Sequence, residues 1–187
     1  ERDKKKFVQM VVLINGAPID ALEEIYIADK PLTEYPSESW DYELSDGRHT
    51  TANSKAVAKM AGWTAEHIGY GQAHIFVEFE NNREVFPDGI SDTEFLIRGA
   101  RVWDPRDTNQ DPDDETTWLW SQNAVLCALH YVRFYGAHEV PFERLPLEWW
   151  IAAINVCDEE AEFTDKDGNV TTEPRYTTNG SFTFTTK

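Results

Sequence analysis

Cysteine is scarce: Cys127 and Cys157 are the only two in 187 residues. Two thiols make no disulfide framework, and without histidine they are too few for a zinc cluster. One bridge between them is compatible with the sequence but not required, so the redox compartment stays open. Long apolar runs are missing too. The longest clean one, 10–14, falls far short of the ~18 residues of a membrane span. Cations are in deficit, with 17 Lys and Arg against 34 Asp and Glu, a net charge of −17. A phosphate-backbone binder needs clustered cations, so the balance argues against that class. No glycine-rich phosphate loop, nucleophile elbow or zinc helix occurs, and neither does an internal repeat or a low-complexity tract.

Hydrophobic residues make up 41% of the chain and aromatics 13%, with seven Trp. That is too apolar for a disordered acidic chain. The length suffices for one or two small domains with a real core. Residues 7–14 are apolar and β-branched and read as a buried strand. Asn15-Gly16 signals a turn, and Pro18 prevents simple continuation. A second strand is expected over 22–28, with Leu22, Ile25 and Ile27 apolar, before Asp29-Lys30-Pro31 turns the chain. The polar and aromatic stretch 36–51 reads as an exposed loop or edge ribbon. A short helix is expected over 54–61, capped by Ser54 and stopped by Gly62. Residues 67–80 read as a long strand with Ala73, Ile75, Val77 and Phe79 on one face. Asn81-Asn82-Arg83 breaks it, and Pro87-Asp88-Gly89 is a turn. Strand character resumes over 94–103, interrupted at Gly99 by a bulge or close backbone approach.

Residues 104–115 form an acidic loop, after which the period changes. A helix is expected over 121–135, with Val125, Leu129 and Val132 as its stripe and Leu126 and Cys127 widening it. Ser121 would cap it and Gly136 end it. A second helix over 147–157 places Leu147, Ile151 and Ile154 on one face with Trp150 beside them. Asp165-Lys166-Asp167-Gly168-Asn169 turns a hairpin. The expected fold is α+β: a mainly antiparallel sheet or partly open barrel, then a helix pair and a closing hairpin. The expected domains are 1–104 and 105–187, meeting in the acidic loop. The chain opens on Glu1-Arg2-Asp3-Lys4-Lys5-Lys6 and closes on Ser181-Phe182-Thr183-Phe184-Thr185-Thr186, an alternating strand in want of a partner. Both ends read as cuts in something longer, a natural edge strand being the alternative at the C-terminus.

Three kinds of chemistry deserve weighing. Asp107, Asn109, Asp111 and Asp113 alternate as in a calcium loop. However, Pro112 stands where that pattern needs glycine, and Trp118 where it needs a bidentate Glu, so a solvated loop is the expectation. Cys127 and His130 share a helix face, and Cys157 and His138 are further thiol and imidazole candidates. Cys127 lies on the apolar stripe, which favours a buried, inert thiol. Trp118, Trp120, Trp149 and Trp150 among many carboxylates invite a carbohydrate reading. No carboxylate pair stands out, and of the adjoining Trp149 and Trp150 at most one can face the core squarely. The other is left to cap a groove or meet a partner.

Four stretches, in order across 13–180, resemble the central tail hub family of long-tailed bacteriophages, the tip attachment or host specificity protein J group. The first is Leu13-Ile14-Asn15-Gly16-Ala17-Pro18-Ile19-Asp20 leading to Ile25-Tyr26-Ile27. It is similar to the family's strand, Gly-Pro-Ile turn and strand, with Ala17 intervening. The second is Phe86-Pro87-Asp88-Gly89-Ile90 running on to Ile97-Arg98-Gly99-Ala100-Arg101-Val102-Trp103-Asp104-Pro105-Arg106, where Trp103 replaces the family's Tyr. The third, Trp120-Ser121-Gln122-Asn123-Ala124-Val125-Leu126-Cys127, looks like the family's Ser-x-Asn-Pro-Ala-Leu helix start without its Pro. The fourth is Trp150-Ile151-Ala152-Ala153-Ile154-Asn155-Val156-Cys157-Asp158-Glu159 followed by Arg175-Tyr176-Thr177-Thr178-Asn179-Gly180.

The resemblance implies a structural segment of a much larger hub protein in the virion tail tip, made in the host bacterial cytoplasm. The intact parent would be a homotrimer closing the tail tube, in contact with the distal tail and tape measure proteins. Its host-recognition part would lie outside this chain. No cofactor is implied, and no catalytic, cofactor-binding or metal residue is carried over. The expectation is therefore a non-enzyme, with a carbohydrate-binding or cell-wall-hydrolysing module as the alternative and a Cys–His peptidase third. An acidic wall would suit a tube that DNA crosses without sticking, since like charge repels within a Debye length of ~8 Å.

Overall fold

The computed structural model describes residues 6–90, 93–136 and 140–181. The opening 1–5, His138 and the alternating stretch 182–186 lie outside them. Among the described residues are three α-helices and ten strands, paired antiparallel and forming no closed barrel, so the fold is α+β. The chain divides into compact units between Ala100 and Arg101, just ahead of the acidic loop.

Unit 1 holds β1 (Phe7–Asn15), β2 (Ala21–Ile27), β3 (Lys30–Pro31), β4 (Trp40–Ser45), α1 (Ser54–Lys59), β5 (Ala73–Glu80) and β6 (Thr93–Arg98). They form two three-stranded sheets, ordered β1-β5-β4 and β3-β2-β6. Alternate residues of both sheets meet in one core of Ile25, Ile27, Leu32, Ile75, Val77, Phe79 and Phe86, as the two-residue side-chain period of strands requires. Met10 and Val12 of β1 and Trp40 and Leu44 of β4 pack against it.

The central strand β5 is buried along its whole length, Glu78 and Glu80 included. A buried carboxylate must be paired and hydrogen-bonded. Glu78 accepts a hydrogen bond from Gln9 Nε2 at 2.5 Å and pairs with Lys59 Nζ at 2.9 Å. Lys59 also reaches Asp41 at 3.0 Å and stands over the Phe76 ring. Lys55 bonds Asp41 as well. Helix α1 is thereby fastened to the far side of β4 and β5.

Several local expectations change. The first strand is not buried but lies at the sheet margin, with Leu13 53% exposed. Of the two alternatives for 36–51, an exposed loop or an edge ribbon, the second is met by the marginal strand β4, whose Trp40, Tyr42 and Leu44 lie opposite the core residues Phe79, Val77 and Ile75. The long strand starts only at Ala73, because 67–69 are irregular and 70–72 turn the chain. The cap of α1 is Asn53, whose Oδ1 accepts from the Ala56 amide at 3.0 Å while its Nδ2 donates to the Glu43 carbonyl at 2.9 Å. Ser54 instead gives its hydroxyl to Glu43. The helix ends at Lys59, short of Gly62. Gly47 is needed where it stands: its φ is +95°, and a Cβ there would sit 2.7 Å from Pro18 Cα.

Unit 2 holds β7 (Arg101–Val102), β8 (Leu119–Trp120), α2 (Ala124–Phe134), α3 (Leu147–Asp158), β9 (Glu160–Thr164) and β10 (Val170–Pro174). β7 pairs with β8, and β9 with β10. The helices pack through Leu126, Ile154 and Val102 in one cluster and Trp103, Trp118 and Leu129 in another, with Trp150 touching both. The buried residues of α2 are Leu126, Leu129 and Arg133. Val125 and Val132, expected on the core stripe, are only half-buried. No described helix is long and apolar enough to cross a membrane.

His74 is the second residue of β5, and its ring lies 5.0 Å from that of His49. Its Nδ1 is 3.2 Å from the Gln72 carbonyl, and its Nε2 is buried with no partner among the described residues. Burial holds this imidazole below its ordinary value, with the His49 charge adding to that and the Gln72 hydrogen bond opposing it. A histidine kept neutral in the fold gives stability that is full above its unfolded pKa and is lost as pH falls below that value toward the depressed one. Thermal unfolding of unit 1 should therefore shift to lower Tm from about pH 7.5 to about pH 5.5. His74→Phe should flatten that dependence, and an unchanged slope in the variant would remove His74 as its source.

Candidate functional site

The thiol–imidazole candidates are placed for packing. Cys127 and Cys157 are both free thiols, one half-buried on α2 and one buried on α3. Cys127 Sγ donates weakly to the Ser121 carbonyl at 3.6 Å. Burial pushes this thiol up. His130 packs its ring against Trp118, Phe134 and Tyr135 at centroid distances of 5.1 to 5.8 Å. Burial pushes its imidazole down, opposed by Glu115 and reinforced by Arg133. A raised thiol and a lowered imidazole, each on α2 with other partners, both favour the uncharged form, the reverse of the thiolate and imidazolium that a cysteine nucleophile needs.

The acidic loop uses its carboxylates on its own backbone. Asp104 Oδ1 accepts from the Arg106 amide, Asp107 Oδ1 from Asn109, Asp111 Oδ1 from Asp113 and Asp114 Oδ1 from Thr116, each at 2.9 Å. These are successive Asx turns, in which a side chain imitates the backbone of a bend. The hydrogen bonds hold the carboxyls of Asp107 and Asp114 below the usual range. The buried Arg133 clamps the loop from beneath, reaching the Pro112 carbonyl at 2.8 Å and Asp113 at 3.2 Å, with its guanidinium over Trp103. Among the described residues no group of three or more His, Cys, Asp or Glu could hold a metal ion.

The tryptophans are mostly committed to cores. Trp118 and Trp103 are buried, the former donating Nε1–H to the Asp111 carbonyl at 2.7 Å. Trp150 turns inward and Trp149 outward, 73% exposed. In unit 1, Trp40 and Tyr42 stack at 6.0 Å beside a groove of about 120 Å³ that also touches Glu23 and Glu24. Ligand pockets measure roughly 300 Å³ or more. Glu23 is already paired with Arg98 at 2.6 Å, and Glu24 accepts from the Ile25 amide. A wider hollow of about 330 Å³ is lined by Thr50, Thr51, Ser54, Val57 and Ile68 among others, with no titratable side chain.

The densest polar arrangement of unit 2 joins residues far apart in sequence. Asn123 caps α2, its Oδ1 accepting from the amides of Val125 and Leu126 at 3.0 and 3.1 Å. Ser121, the expected cap, instead accepts from the Asn123 amide. The Nδ2 of Asn123 donates to the Ile154 carbonyl at 3.0 Å and to Asp158 at 2.8 Å. Asp158 pairs in turn with Arg106 at 2.7 Å, and Arg106 forks onto Asp104 and bonds Asn155 at 2.9 Å. Asp104 and Asp158 together push the guanidinium pKa still higher. Asn123 also bridges Thr177, and the Thr178 amide bonds the Gln122 carbonyl at 2.8 Å. The knot thus draws on the 101–106, 120–127, 150–159 and 175–180 stretches. Sequence reading singled out each of them without seeing that they meet.

Such a knot is a fixing device. Asn123 meets both acceptor sites and both donors, Arg106 is permanently charged, and no nucleophile lies among its members. No protein-family profile, no curated protein and no solved structure matches the chain.

Two outcomes follow. Asn123→Asp replaces two donors with a second carboxylate against Asp158 and should cost about 3 kcal/mol in denaturant unfolding at neutral pH. A loss within about 0.5 kcal/mol would show the knot to be peripheral. Both cysteines should react with iodoacetamide at neutral pH about tenfold more slowly than free cysteine. Reaction faster than free cysteine would revive the nucleophile reading.

Proposed function

We propose that this chain is a structural module of a phage or prophage tail tip hub, part of the wall that closes the tail tube, and not an enzyme. One observation carries the reading. Three of the four stretches that resemble the hub family meet around Asn123, Arg106 and Asp158 in unit 2. Residues shared with a structural family are expected to fix backbone geometry, and these do so. Cys157 is buried, burial opposes the charged forms of Cys127 and His130, and the carboxylates of Asp104, Asp107, Asp111 and Asp114 accept from their own loop's amides.

The exposed apolar residues of unit 2 support an assembly role. Trp149, Leu119, Tyr131 and Tyr135 are each more than half exposed. Tyr131 and Tyr135 stack at 6.4 Å, and adjoining exposed apolar side chains are what a surface that meets a neighbour presents. In this reading the intact parent forms a homotrimer, contacts the distal tail and tape measure proteins, and resides in the virion.

The test is co-purification. The tagged parent protein, isolated from an induced lysate, should bring down proteins identified by mass spectrometry as the distal tail ring and the tape measure. Release of sugar or peptide from cell-wall fragments by the same preparation, with no tail protein bound, would replace the hub with a cell-wall-acting module.

A further inference from the structure

The nine residues of β1 carry no charge, in a chain of net charge −17. β1 pairs with β5 along one edge, and no described strand pairs with the other. β4, at the opposite margin of the same sheet, is protected. It carries Asp41 and Glu43, and Asn53 and Lys55 bond its Glu43 and Tyr42 carbonyls. Charge and cover are the usual means of keeping an edge from templating another strand. Among the described residues β1 has neither, and Phe7 and Leu13 on its side away from the core are exposed.

Unit 2 carries the complementary feature. All five residues of β10 are exposed, and so are all of β9 except Ala161. Val170 is 67% and Phe163 43% exposed. A two-stranded ribbon with both faces in water is marginally stable at best. The ribbon is acidic at its base through Glu160, Glu162 and Glu173. The open strand is led by a cation, the exposed Lys6, with Arg2, Lys4 and Lys5 before it in the sequence.

We infer that β10 of one copy adds to the open edge of β1 in a neighbouring copy, antiparallel, with Glu173 beside Lys6. This direction sets the end of β10 against the start of β1, and lays the uncharged, β-branched Val170-Thr171-Thr172 along the uncharged edge. Main-chain hydrogen bonds give the contact its strength, as in other strand additions. The arm and the edge are different surfaces, so the contact is head-to-tail and closes into a ring when its rotation permits. The inference rests on the reading above in needing copies to meet around an axis.

Sedimentation analysis of the 187-residue chain tests it. Self-association should rise with concentration at physiological salt, where the repulsion between copies of net charge −17 is screened. Lys6→Glu and Glu173→Lys should each lower the association constant about fivefold, and the double variant should restore it. Both side chains are exposed, so reversing them leaves the cores intact. A chain that stays monomeric at physiological salt, an association indifferent to both reversals, or a double variant that fails to recover would overturn the contact. The hub reading is decided separately, by whether the parent binds tail proteins. Association that follows Lys6 and Glu173 in a parent that binds no tail protein would keep the contact and discard the hub.

Discussion

A single buried amide organises unit 2. Asn123 starts α2 with its oxygen and holds the end of α3 with its nitrogen. Its remaining donor fixes Asp158, which anchors Arg106 and through it the entrance to the acidic loop. A buried amide with every hydrogen bond made confers a unique arrangement, and one left half-made costs the full desolvation of its polar groups. The loop, both helices and the strand bridge at Thr177 therefore stand or fall together.

Unit 1 solves a different problem. Its central strand is buried on both faces and still carries two carboxylates and an imidazole. Glu78 is tolerated because Gln9 and Lys59 reach it. That requirement brings α1 onto the sheet and leaves β4 charged and covered. β1 keeps a neutral edge. Polar satisfaction, more than hydrophobic area, decides which margins of this sheet are closed.

The periodic elements were legible in the sequence. β5, α2, α3 and the β9–β10 hairpin follow from alternation, helical spacing and turn residues, which are local signals. The alternation of Trp40, Tyr42 and Leu44 marks an edge strand, but the surrounding Ser, Asp and Gly fit a loop as well and left the two open. The caps were misread by one or two residues in the same way twice. Ser54 and Ser121 are good caps in isolation, whereas Asn53 and Asn123 serve because their amide nitrogens find acceptors elsewhere in their units. No local rule sees such a partner. Arg133, a cation in the last turn of α2, is buried because the loop beneath which it packs supplies a carbonyl and a carboxylate, partners that no local pattern announces. The knot was invisible as a knot because its cross-chain pairs lie between 31 residues apart, as Asn123 and Ile154 do, and 54 apart, as Asn123 and Thr177 do.

The central claim is that these surfaces exist to build a ring around a tube. Cryo-electron microscopy of tails carrying the parent protein tests it most directly. The account predicts three copies of this fold about the tail axis at the tip, with their exposed carboxylates turned toward the lumen. A single copy off the axis, or copies whose carboxylates face outward, would contradict it.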